Sequence, residues 1–159
     1  MMPFTLPPAP TPPLPAWAEA RWQAAGLGRT YSRKAYLQPA TQQADFDGDG
    51  KTDVAVLVVD RRQRRGIVVL HQGAAAPAVL GAGHRFGNGG DNFDWLTEWK
   101  LYKATSAEAT VTTAGGDVAG TRPVRLRRPG LLILATDEQY SGGLVYWDGR
   151  RYTWLQQGD

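Results

Sequence analysis

The chain has 159 residues, 42% hydrophobic and 10% aromatic, which is enough apolar material to pack the core of one ordinary domain. It has no cysteine, which excludes disulfide frameworks and thiolate metal sites, and no apolar run approaches the roughly 18 residues of a membrane-spanning helix. The formal charge of +3 is too small to point to a nucleic-acid partner, and no nucleic-acid motif accompanies the arginines.

Residues 3–15 hold seven prolines in thirteen positions, which favours extended backbone outside any core. Residues 1–15 therefore read as a disordered Pro-rich leader and 16–159 as a single domain. The leader lacks the basic region and long apolar stretch of a secretory signal. Residues 15–25 read as a short helix, with proline acceptable in the first turn and Gly26 and Gly28 as stop signals. Trp17 and Trp22 are placed to pack it onto the domain, although a spacing of five does not put both on one stripe.

The stretch Asp45-Phe46-Asp47-Gly48-Asp49-Gly50-Lys51-Thr52-Asp53 carries the strongest chemical signal. A calcium ion takes about six to eight oxygens and tolerates irregular geometry. Asp45, Asp47 and Asp49 supply carboxylates at positions one, three and five. Gly50 at position six permits a sharp bend, and Gly48 at position four relieves crowding. Lys51 offers its backbone carbonyl at position seven, and Asp53 closes the site at position nine, directly or through water. Four carboxylates on one tight loop repel one another without a cation; the alternative is a solvated Asp/Gly turn. Magnesium prefers octahedral sites and keeps its waters, while zinc wants His or Cys ligands that the loop lacks.

An EF-hand does not fit, because position twelve is Val56 and the chain leaves the loop into a β-branched run, 54–59, that reads as a buried strand. From Asp45 to Leu57 the chain instead resembles the calcium loop of FG-GAP and VCBS-type repeats, in which an Asp-x-Asp-x-Asp-Gly-x-x-Asp turn precedes a strand. The resemblance implies calcium as the bound ion. Such repeats build propellers from several copies, whereas this chain has one loop, so no propeller is implied. Residues 40–44 stand where the repeats place a Phe-Gly pair.

From residue 54 onward strand signals dominate, at 54–59, 67–71, 98–102, 124–127, 131–136, 144–147 and 151–155. Short turns between several of them favour antiparallel pairing. The expected class is α+β, a mostly antiparallel β-sheet with one short N-terminal helix. The arginine-rich 60–66 reads as a solvated hairpin tip, or as a docking patch for phosphate, nucleic acid or an acidic partner. The glycine-rich 81–95 reads as a long surface loop in which Asp91 and Asp94 make a weak second cation pair. His84 in that loop is the better histidine for functional contact, and His71, at a strand end, reads as a packed or edge residue.

Asp148-Gly149 reads as a two-residue turn that sets Trp147 opposite Arg150 and Val145 opposite Tyr152. Val145, Trp147, Tyr152 and Trp154 then share one face, which is either core or an exposed platform for sugar rings. Tyr146, Trp147, Asp148, Gly149, Trp154, Gln156, Gln157, Gly158 and Asp159 resemble the C-terminus of small bacterial envelope proteins that carry one such acidic loop. This resemblance implies an exported α+β domain and supplies no catalytic residues.

No nucleophile-and-base pair stands out in the sequence. The expectation is a non-enzymatic, calcium-binding, extracytoplasmic domain, periplasmic or secreted, that meets an unknown protein or glycan partner. One alternative is a carbohydrate-binding module using Trp147, Tyr152 and Trp154, with His84 as a further ligand contact. Another is an inhibitor or immunity-type partner of a hydrolase.

Overall fold

Strand β3 (Asp53–Asp60) is buried along its whole length in the computed structural model, which describes residues 13–137 and 140–158. A strand is covered on both faces only when its sheet lies between two other layers, and the neighbouring elements supply them. β4 (Arg65–Leu70) pairs with one edge of β3, and β5 (Ala78–Gly81) pairs with β4. β1 (Tyr31–Arg33) and β2 (Thr41–Ala44) lie end to end along the other edge, against residues 58–60 and 53–56. The second sheet has the order β11 (Tyr152–Gly158), β10 (Ser141–Trp147), β9 (Gly130–Ala135), β6 (Glu98–Tyr102). β7 (Ser106–Thr112) and β8 (Val118–Arg125) form a separate ribbon, and all these pairings are antiparallel.

The alternation of side chains along each strand then sorts the core into three seams. Ala55, Leu57, Ile67 and Val69 of the first sheet meet Trp99, Leu131, Ile133 and Val145 of the second, with Phe46, Phe93 and Leu96 filling between them. Val54, Val56, Val58, Val68 and Leu70 face the other way, onto Ala18 and Trp22 of α1 (Ala16–Ala24). Leu132, Leu134, Leu144 and Leu155 pack on Ala107 and Ala109 of the ribbon. The layers run helix, sheet, sheet, ribbon, and the chain is a mostly antiparallel β protein with one short N-terminal helix, as its sequence leads one to expect. Trp22 is buried in the helix seam and Trp17 is half-buried at its margin, which accommodates their spacing of five. Of the expected leader, residues 1–12 lie outside the described residues; Leu14 packs against the helix seam.

Three expectations are corrected. Trp147 pairs with Tyr152 and Val145 with Trp154, so the terminal hairpin loop has four residues instead of two. The cause is Asp148, whose Oδ1 accepts the amides of Arg150 (2.8 Å) and Arg151 (3.0 Å) while its own N–H donates to the Arg151 carbonyl. A shift of two residues leaves the period of two intact, so Val145, Trp147, Tyr152 and Trp154 still share a face. Segment 81–95 is not simply a surface loop, because it begins in β5 and sends the fully buried Phe93 into the core. β8 runs over Val118–Arg125, upstream of the strand expected at 124–127.

Candidate metal centre

The acidic loop joins β2 to β3, and the pairing of Ala44 with Asp53 closes its base. Asp53 is fully buried there. Its Oδ2 accepts the amides of Phe46 (2.9 Å) and Asp47 (3.3 Å), and its Oδ1 accepts the amide of Gln72 (3.1 Å). This carboxylate therefore ties the loop entrance to the segment after β4. Within the loop, Asp45 Oδ1 accepts from Gly48 and Asp49, and its Oδ2 from Gly50 (2.8 Å). Asp47 Oδ1 accepts from Asp49, and Asp49 Oδ1 from Lys51. The curl needs left-handed backbone at Gly48 (φ 75°) and Gly50 (φ 86°), a conformation costly for other residues. Gly48 has a second reason to be glycine, since a Cβ there would lie 2.8 Å from Arg128 Nε. Arg128 in turn donates to the Trp147 carbonyl (2.7 Å) and so links the loop to the second sheet.

Asp45, Asp47 and Asp49 thereby bring carboxylate oxygens within 4.8 Å of one another and form a group that could hold a metal ion. Asp47 also belongs to a second such group, with Asp53 and His71. His71 is buried just after β4; its Nδ1 lies 3.0 Å from Asp47 Oδ2 and 3.6 Å from Asp53 Oδ2, and its Nε2 lies 3.0 Å from the Tyr152 hydroxyl. A carboxylate only accepts, so the Nδ1–H donates to Asp47 and, in the neutral imidazole, Nε2 accepts the Tyr152 proton. Burial pulls the His71 pKa down, but the hydrogen bond and charge of Asp53 and the charge of Asp47 outweigh it and the net shift is upward. Burial pushes the Asp47 carboxyl up to about 6, opposed by the Asp49 amide and reinforced by the Asp53 charge. A carboxylate locked in the interior favours a proton on either neighbour.

Three of the four loop carboxylates, Asp45, Asp47 and Asp49, thus come together, and the fourth does not join them. Asp53 sits in the group with Asp47 and His71, apart from Asp45 and Asp49. Lys51 contributes its amide to the loop, and its side chain is exposed. His71 brings to the loop an imidazole that the loop sequence lacks. Nothing local announces this, because its partners are 24 and 81 residues away. Trp147 and Tyr152 pack around it, with ring centroids 5.4 and 5.6 Å from the imidazole. Trp154 lies elsewhere on the same face, against Phe86 and Trp95, with its ring close over Gly87 and Gly143, where no Cβ fits. His84 is exposed, bonded through Nε2 to the Tyr31 hydroxyl (3.0 Å), and belongs to neither metal group. Asp91 pairs with Arg64 (3.4 Å). No family model, curated protein or solved structure matches the chain.

Proposed function

We propose that the chain is a non-enzymatic domain of the bacterial envelope or exterior, stabilised by a calcium ion at Asp45, Asp47, Asp49 and the Lys51 carbonyl, and presenting a surface to another macromolecule. The observation that carries this reading is the convergence of three carboxylates on a loop whose base is locked by Asp53. An all-oxygen donor set on irregular backbone suits a hard cation of flexible coordination. The group with the histidine is the weaker competitor, since both His71 nitrogens are engaged and an ion there would have to displace the Nδ1 proton held between His71 and Asp47. Millimolar calcium outside the cytoplasm matches the weak affinity of such modules, with dissociation constants of roughly 10⁻⁴–10⁻³ M. Isothermal titration with calcium should give one site in that range, and Asp45→Asn should remove it. Absence of saturable heat in the wild-type chain would refute the reading.

The alternative of carbohydrate binding draws support from a cleft of about 600 Å³ bordered by Trp95, Trp154, Asn88, Gln156 and Asp117. Aromatic edges beside amide and carboxylate groups match the mixed apolar and hydroxyl surface of a sugar. Glycan binding that disappears with Asn88→Ala and Asp117→Ala would establish it, and failure of every cell-wall fragment to bind would remove it.

A further inference from the structure

A different cleft, of about 470 Å³, opens between the segment 74–80 and the β10–β11 turn. Its volume falls in the range of small-molecule sites, and it combines apolar walls with a few polar groups, as such sites do. Leu80, Phe86 and Trp147 supply the walls, Tyr152 is buried within it, and Arg150 and Arg151 stand exposed on the turn.

The two arginines decide what fits. Arg33, Arg64 and Arg128 each engage a side chain or carbonyl of the protein. Among the described residues, the guanidiniums of Arg150 and Arg151 make no hydrogen bond or ion pair with another residue. The acids close to them do not neutralise them by direct contact. Asp148 uses Oδ1 on the backbone amides of both arginines, and Asp47, also on the cleft wall, uses Oδ2 on His71. Two free planar forks at one end of an apolar cleft match a carboxylate, which each can grip with paired N–H donors. Trp147 is half-buried, and together with Phe86 it offers apolar surface for a flat body behind that head group.

We propose that this cleft binds a small aromatic carboxylate, its carboxylate on Arg150 and Arg151 and its ring between Phe86 and Trp147. The site does not require an ion in the acidic loop, so it stands or falls separately from the calcium reading when measured in excess EDTA.

The test titrates the full chain in EDTA with 2-naphthoate, with its neutral amide and with inorganic phosphate, followed by backbone and indole NMR shifts. Naphthoate should saturate with shifts centred on Phe86, Trp147 and Tyr152, the amide should bind at least about tenfold more weakly, and phosphate alone should not saturate. The double variant Arg150→Gln/Arg151→Gln should lose the preference for acid over amide while its melting temperature stays that of the parent, since both side chains are exposed. Equal affinity for acid and amide, saturation by phosphate alone, shifts centred elsewhere, an unaltered preference in the double variant, or no saturable naphthoate binding would each overturn the proposal.

Discussion

The His71 imidazole lies 3.0 Å from the Tyr152 hydroxyl on one side and 3.0 Å from Asp47 Oδ2 on the other. One side chain thereby joins the acidic loop of the first sheet to the terminal hairpin of the second. Tyr152→Phe keeps the ring and removes the hydroxyl, leaving a buried ring nitrogen unpaired. The expected loss is about 1–3 kcal/mol in urea unfolding of the metal-free chain. Stability equal to wild type would show that this link carries no weight.

Gly73 separates the ion loop from the fold more cleanly. A Cβ at Gly73 would collide with Asp49 Oδ2, the far end of an exposed side chain, and no positive φ restricts the position. Gly73→Ala should therefore displace the Asp49 carboxylate and weaken calcium binding, while stability in EDTA changes by no more than about 0.5 kcal/mol. Calcium affinity equal to wild type would exclude Asp49 as a ligand.

Asp60 supports the β3–β4 hairpin by accepting the amides of Arg62 and Arg64 on Oδ1 and the Arg64 guanidinium on Oδ2. Burial alone would raise its pKa, but the Arg64 and Arg62 amides and the Arg64 guanidinium outweigh burial and lower it. A depressed carboxyl contributes stability above its unfolded value of about 3.9, and that contribution is lost as pH falls through the folded value. Asp60→Asn should be less stable by about 1–3 kcal/mol at neutral pH, with the gap to wild type closing below pH 4 or so. A gap independent of pH would contradict the assignment of the charge.

Asp47 sets the acid limit of ion binding. Burial, reinforced by the Asp53 charge and the Asp45 and Asp49 carboxylates, pushes its carboxyl up to about 6 in the metal-free chain. A cation must displace that proton, so calcium affinity should be steady above pH 7 and fall by up to about tenfold per unit below pH 6. Titration calorimetry across this range checks it, and a flat profile would place Asp47 outside the ligand set.

The sequence makes some elements plain and others invisible, for physical reasons. The 54–59 run is unbroken and β-branched, and it became the central strand because both its faces are covered. β1 and β2 are short and carry polar side chains; they are strands because they pair with β3, which their own composition does not announce. The hairpin faces are legible from alternation alone, while its register depended on Asp148 capturing two amides. The carboxylates of Asp45, Asp47 and Asp49 are legible because one loop carries them all. His71 is not, because its place beside Asp47 arises only when β4 lies against β3 and the second sheet closes over both.

The melting temperature of the chain in excess EDTA, then after addition of calcium or magnesium, probes the ion site most directly. At about 1 mM free calcium, a site of this class stabilises by roughly 0.4–1.4 kcal/mol. For a domain of this size that is a rise of about 1–5 °C. An ion held by Asp45, Asp47 and Asp49 should give that rise with calcium, a smaller one with magnesium, and none with calcium in Asp45→Asn. A melting temperature indifferent to calcium, or an equal rise in the variant, would contradict an ion at Asp45, Asp47 and Asp49.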